Sequence, residues 1–282
     1  MKRRHLAAPP PIPAPHQRLT MQTPLQTQLE RLGAALPGVA GIVIEDGHQP
    51  RPGQINAHHH FPAASLIKLA ILWAYLQQRQ AGQISPDEAV TIDDTLKVGG
   101  TGQLQTLPPG TTRTLDDLAR LMITDSDNTA TNLLIDRLGL ATINQAIAPL
   151  GLPATHLRRK MMDWSQIAAG IDNTTSPADV ARLLHHLWQS PLLAPVLRAQ
   201  AVSFLKAQQL NNKLPALLPA GVPLAHKTGE LPGAEHDAGL LFLPHTTILV
   251  VVLTKELQDN QAGIAFVRQV GRLVYDHYQG DT

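Results

Sequence analysis

The stretch Ser65-Leu66-Ile67-Lys68-Leu69-Ala70-Ile71-Leu72-Trp73-Ala74-Tyr75-Leu76 decides how the rest of the chain is read. After Ser65 it is apolar on every face, with Lys68 its only charge. That pattern predicts a helix buried in the core, not an amphipathic surface helix. A spacing of three puts Lys68 one turn along the same face as Ser65, within reach of the serine hydroxyl. A solitary lysine in such a helix reads most simply as a side chain that snorkels to the surface. Beside a serine at the helix start it reads differently, because burial lowers an amine from its ordinary pKa of about 10.4 and fits it to act as a base. The free N–H groups of the helix N-terminus favour negative charge on the serine oxygen or on an oxyanion beside it.

Two further strings gain meaning from this one. Ser126-Asp127-Asn128 falls in a break between two predicted helices: one capped by Thr114 with Asp117 and running to about Thr124, the other running from Thr129 to Leu138 and closed by Gly139. Taken alone it is an ordinary helix cap. With Ser65 it offers a second hydroxyl to carry a proton to a leaving group, an Asn128 amide to bind substrate, and Asp127 as a buried brace. Lys227-Thr228-Gly229 lies in a predicted strand, Pro223 to Gly229, before the turn Glu230-Leu231-Pro232-Gly233. Alternation puts Lys227 and Gly229 on one face and Thr228 on the other. Lys227 would hold positive potential over a cleft and tune Ser126, Thr228 would meet a substrate carboxylate, and Gly229 would let a substrate backbone approach. Each string is common by itself; their order and contexts make one serine-acylation site.

Composition bounds the rest. The 282 residues are 43% hydrophobic and 16% charged with a formal net charge of +1, which describes a globular protein and indicates no nucleic-acid partner. The chain contains no cysteine, so thiol mechanisms and thiolate metal sites are excluded, and no cofactor or metal is called for. No stretch approaches the roughly 18 to 20 apolar residues of a membrane span. Met1-Lys2-Arg3-Arg4 resembles the charged start of an export signal, but Ala7 to Pro15 is proline-rich and lacks the apolar run. No signal peptide is recognised, the compartment stays open, Met21 is an alternative start, and residues 1–24 read as a disordered leader.

Leu25, Leu29, Leu32 and Leu36 recur at helical spacing, ended by Pro37-Gly38 before a strand at Val39 to Glu45. A second strand is expected from Gln54 to Phe61. The middle, Ser65 to about Leu217, is almost wholly helical in pattern. Strands return at Pro223 to Gly229, Ala238 to Leu243 and Ile248 to Thr254, followed by a helix from Gln261 to Tyr278. The fold class is therefore α+β: an antiparallel sheet built from both chain ends (25–64 and 218–282) with flanking helices, plus an inserted helical lobe (65–217), and the cleft between the two.

The three strings, in this order, are those of class A β-lactamases and penicillin-binding proteins, and the chain resembles the class A β-lactamase-like serine hydrolases from about residue 35 to 275. The resemblance includes the apolar helix after Ser65, Leu121-Met122-Ile123-Thr124-Asp125 before Ser126, the Asn128 to Asn132 continuation, and Thr174-Thr175-Ser176-Pro177, with Ser176 at N-cap and Pro177 at N1 of a later helix. It implies a β-lactamase/transpeptidase-like fold and an acyl-enzyme route. Ser65 attacks a lactam or ester carbonyl, Lys68 assists, Ser126 protonates the leaving nitrogen, and the Ser65 and Glu230 N–H groups form the oxyanion hole. It implies a small-molecule β-lactam or cell-wall-peptide-like substrate, a monomer, and a family usually periplasmic or secreted.

The departures from that pattern matter as much. The family's efficient members carry a Glu-x-x-Leu-Asn loop whose Glu activates the deacylating water, yet no Glu occurs between Asp125 and Ser190. Counting back from Pro177 lands near Lys160; the nearest carboxylate is Asp163, a candidate for shaping that loop or its water site, with a solvent-exposed loop charge as the alternative. The strand Ile248 to Thr254 has no arginine for a substrate carboxylate, and Val98 to Gly102 offers no aromatic wall. His58 and His60 would share one strand face but lack a third ligand, while His226 and His236 bracket the Lys-Thr-Gly string. Three functions follow: a hydrolase that turns over, a penicillin-binding, DD-peptidase-like or sensor protein with a long-lived acyl-enzyme, or a non-catalytic scaffold, against which the intact strings argue.

Overall fold

The computed structural model describes residues 24–46 and 52–279; the leader expected at 1–24 lies outside them except for Pro24. Helix α1 (Pro24–Ala35) leads into β1 (Val39–Glu45), β2 (Gly53–Ile55) and β3 (Phe61–Pro62). A 3-10 turn at Ala64–Leu66 then opens α2 (Ile67–Gln80). The middle contains β4 (Ala89–Ile92), β5 (Thr111–Thr114), α3 (Leu115–Thr124), α4 (Asn128–Leu138), α5 (Leu140–Ile147) and α6 (Trp164–Ala168). β6 (Thr174–Thr175), α7 (Pro177–Gln189) and α8 (Pro195–Lys206) follow. The chain closes with β7 (Leu224–Leu231), β8 (Ala234–Phe242), β9 (Thr247–Lys255) and α9 (Asn260–Gln279).

Both chain ends build one five-stranded antiparallel sheet in the order β2-β1-β9-β8-β7. Period-two alternation sends the two faces of β9 into different cores. Leu249, Val251 and Leu253 join the large core around α2; Ile248, Val250 and Val252 join a second core under α1 and α9, with Leu25, Leu29, Val267 and Val270. The sheet is thus covered on both faces, and β7 is left at its edge.

The apolar run after Ser65 is the core helix it was expected to be. Ile67 through Leu76 are all buried, Lys68 among them. The polar atoms it carries inward find acceptors: Trp73 Nε1 donates to Ala146 O at 3.0 Å, and Tyr75 OH to Asp116 Oδ1 at 3.0 Å. The caps read from sequence are formed, with Thr114 accepting from Asp117 N, Asp127 from Ala130 N, and Ser176 from Asp179 N.

Three expectations need correction. The strand from Gln54 to Phe61 is two short strands parted by a turn that carries exposed His58 and His59, because β2 pairs with β1 while β3 pairs with β6. His58 and His60 therefore do not share a strand face. The middle segment also holds the β4–β5 ribbon and β6, which pairs with β3 ahead of it, so it is not wholly helical. Finally, β7 runs through Leu231, leaving only Pro232-Gly233 as the turn into β8. Among the described residues no helix is long and apolar enough to cross a membrane.

Where the sheet meets α7, a side chain would not fit at position 41. A Cβ on Gly41 would lie 2.6 Å from Pro177 Cγ and 2.7 Å from two atoms of the Phe61 ring. Replacing Gly41 by alanine is expected to lower unfolding stability by about 1–3 kcal/mol through overpacking, read from the urea midpoint at unchanged slope; an unchanged midpoint would mean that this junction yields freely.

Candidate active site

A cleft of about 680 Å³ lies between the β7 edge and the helical region, and Ser65, Ser126, Asn128, Thr228, Gly229 and Glu230 line it. Ser65 stands in the 3-10 turn before α2, partly exposed, preceded by Ala64 at φ +44°. Left-handed backbone at a non-glycine residue is held only where its surroundings enforce it. The enforcement is visible here: Ala63 N donates to Asn173 O at 2.8 Å, and His236 Nε2 donates to Pro62 O at 2.8 Å.

Lys68 is fully buried and its Nζ lies within hydrogen-bond distance of three oxygens. It donates to Ser126 O at 2.6 Å, Asn128 Oδ1 at 2.9 Å and Ser126 Oγ at 3.1 Å. The spacing placed it near the Ser65 hydroxyl; the hydrogen bonds it makes are to the Ser126 loop. From the other side Lys227 Nζ reaches the same Ser126 Oγ at 3.0 Å and bonds its neighbour Thr228 O at 2.8 Å. Two buried lysines therefore converge on one hydroxyl oxygen.

Their environment decides their charge. Burial takes the Lys68 ammonium well below its ordinary value and Lys227 repels it further, while Asp127 acts in the opposite direction. Burial brings Lys227 down to about 7, opposed by Asp237 and reinforced by Lys213. The charge of Lys227 is thus one of the causes that hold Lys68 down.

Ser126 itself sits at φ +54°, and its carbonyl accepts from Lys68 and from Thr101 Oγ1 at 2.7 Å. Asp127 fixes this turn. Fully buried, it accepts from Ala130 N at 2.9 Å and from Leu104 N at 2.8 Å, tying the start of α4 to the 99–104 loop. Asn128 is fastened at both ends of its amide, through Lys68 and through a bond to Gly99 O at 3.1 Å.

Gly229 shows why the third string ends in glycine. A Cβ there would lie 3.2 Å from Ala64 Cβ and 3.2 Å from the His236 ring, so its absence lets the β7 edge approach the Ser65 turn. Glu230 follows, exposed, on the strand rather than in a turn.

Two residues that line the cleft, Lys213 and Asn260, carry no local sequence signal. Lys213, buried, pairs with Glu235 at 2.5 Å and donates to Gly229 O at 2.9 Å; Asn260 holds Glu235 Oε1 at 2.8 Å and Leu231 O at 2.8 Å. His226 contacts Asp237 Oδ1 at 2.8 Å and Asn211 Oδ1 at 3.1 Å. His236 accepts from Thr254 N through Nδ1, and burial lowers it to about 4, which leaves it neutral at pH 7.

The loop opposite β7 presents Met161, Met162, Trp164 and Ile167 to the cleft. Asn132 clamps it through both ends of its amide, Nδ2 to Met161 O at 3.1 Å and Met161 N to Oδ1 at 2.8 Å. Lys160 pairs with Asp136, and Arg159 pairs with Asp172 at 2.6 Å. Asp163 is the N-cap of α6: it accepts from the Ser165 hydroxyl at 2.6 Å and from Gln166 N at 3.1 Å, which holds its carboxyl below the ordinary value. It is not among the residues lining the cleft. Among the described residues, no group of three or more His, Asp or Glu is placed to hold a metal ion.

Comparison with known proteins agrees with this architecture. The chain is 26% identical to a beta-lactamase of Bacteroides uniformis over 92% of its own length and 93% of the relative's. It is 29% identical to the beta-lactamase of Streptomyces albus G, over 83% and 77%. Among solved structures it superposes on PBP-A with a TM-score of 0.82 at 32% identity, covering 91% of this chain and 96% of that one. A point mutant of PBP-A, described as an acyl-enzyme complex with penicillin G, superposes equally well. The beta-lactamase of Sphaerobacter thermophilus gives 0.81 at 29% identity, over 89% and 95%. With a mixed helical and antiparallel-sheet fold shared across these proteins, and with the sequence model of the family matching residues 24–278, the chain belongs to the beta-lactamase enzyme family.

Proposed function

We propose that the protein is a serine hydrolase that opens a β-lactam, or a related amide or ester such as a cell-wall peptide, through an acyl-enzyme on Ser65. The observation that carries this reading is the convergence of Lys68 and Lys227 on Ser126 Oγ, in the cleft that Ser65 also lines. The depressed Lys68 supplies a neutral amine to take the Ser65 proton as Oγ bonds to the carbonyl carbon. Lys68 then returns a proton through Ser126 Oγ to the leaving nitrogen, and the C–N bond breaks. Lys227, in its cationic form, stabilises the Ser126 oxygen during the transfer. Backbone N–H groups of Ser65 and Glu230 receive the oxyanion, Asn128 and Thr228 orient the substrate, and one chain supplies every group.

Release of the acyl group is the slow step in this account. The loop facing the cleft offers thioethers, an indole and an isoleucine where a carboxylate would activate water, and Asp163 is spent on capping α6. That observation favours a second reading, in which the protein acylates and holds the adduct as a penicillin-binding or sensor protein does.

Intact-mass spectrometry after mixing with benzylpenicillin is expected to show a single adduct that decays over minutes or longer, and none with Ser65→Ala. An adduct retained by that variant would move the nucleophile elsewhere. The Met161→Glu substitution, which puts a carboxylate on the cleft wall, is expected to shorten the adduct lifetime by about tenfold or more, within the range of a general base; an unchanged lifetime would exclude the missing carboxylate as the cause of slow release.

The acylation rate should also depend on pH in a definite sense. It rises as Lys68 loses its proton, and it falls above about pH 7 as Lys227 loses the charge that stabilises Ser126. A rate that climbs without a fall from about pH 6 to about pH 9, conditions spanning that titration, would remove the cationic role of Lys227.

A further inference from the structure

The cleft carries one exposed charge, and we propose that it sets the substrate class: the Glu230 carboxylate selects acyl donors with an ammonium beside the acyl carbonyl and rejects those with a second carboxylate there. This rests on the acylation reading above.

Three charged residues line the cleft: Arg159, Lys213 and Glu230. Both cations are buried and neutralised, Arg159 by Asp172 and Lys213 by Glu235. Lys68 and Lys227 lie fully buried behind Ser126. Glu230 alone is exposed, and it enters no ion pair among the described residues. The residue directly opposite it on β8, Glu235, is paired with Lys213, and Asn211, Asn212 and Asn260 elsewhere on the cleft lining are neutral amides. A mobile cation in this cleft therefore meets one uncompensated carboxylate.

Strand geometry places Glu230 one residue from the Ser65 turn. Gly229 packs against Ala64, the residue before Ser65, and Glu230 is the next residue along β7. Thr228 and Glu230 share a face two residues apart, so their backbones are separated by about 6–7 Å. A substrate carboxylate held at Thr228 would bring its acyl-side substituent toward Glu230. An ammonium there completes a zwitterion matched to the strand, and a carboxylate there meets a like charge. The opposite wall of Met161, Met162, Trp164 and Ile167 is apolar, with Trp164 59% exposed, and offers neither charge a partner.

The test is the acylation rate constant for benzylpenicillin and its α-amino and α-carboxy derivatives, which share one skeleton and differ in charge at one carbon. At low salt and about pH 6, where an α-amine is protonated, the wild-type order is expected to be α-amino, parent, α-carboxy, with about tenfold between the extremes. Added salt should compress that spread. Glu230→Gln should bring the three within about twofold, and Glu230→Lys should reverse the order; the ratios are taken within each variant, so a change in its overall acylation rate cancels. Ratios unchanged in both variants, with the parent still acylating, would overturn the selectivity and leave acylation standing. No adduct from any of the three would overturn the acylation reading itself, and this inference with it.

Discussion

The hydroxyl oxygen of Ser126 is held between two buried lysines, and the rest of the site is built to keep it there. Two ammonium groups within hydrogen-bond distance of one oxygen, both out of water, repel each other and lose hydration. Burial favours loss of a proton from each, and the charge of Lys227 adds to this at Lys68. A neutral amine beside a cationic one is what proton transfer through a shared hydroxyl requires. The surroundings offset the remaining cost. The α2 core holds Lys68 rigidly, the β7 edge delivers Lys227, and Asp127 locks the left-handed turn of Ser126 from two directions. Conformational strain and buried charge collect at this point while the caps and cores around it are well satisfied, as expected where function is placed ahead of stability.

The same frame explains an asymmetry between the two walls of the cleft. On the β7 side, hydrogen bonds from Lys213, Asn260 and His236 fix the strand edge and the Ser65 turn to one another. On the other side the loop is clamped by its backbone, through Asn132, while its side chains toward the cleft are apolar. One wall is fixed by polar groups; the other is lined by apolar side chains.

Much of this was legible in the sequence because it rests on local signals. Period-two strands at both ends, the cap residues Thr114, Asp127 and Ser176, and an apolar helix around one lysine each carry their meaning within a few residues. The α+β fold follows from their order. What the sequence did not reveal depends on tertiary approach. Nothing local distinguishes Lys213 or Glu235 from surface charges, or shows that His236 reaches across to Pro62. Lys68 illustrates the limit: spacing set its face of the helix, but its hydrogen bonds were decided by a loop nearly sixty residues away. The histidine turn was misread as a strand because β2 and β3 have different partners, a fact held by sheet topology and not by composition.

The proposed relay requires that the two lysines around Ser126 do not both keep their protons at neutral pH. Selective isotope labelling of lysine, with Lys68→Arg and Lys227→Arg variants for assignment, allows their side-chain resonances to be followed by NMR through a pH titration. The relay requires two transitions well below the ordinary lysine range, that of Lys227 at about 7. If both side chains instead titrate together near about 10.4, the value of an unperturbed lysine, the shared-hydroxyl relay is contradicted.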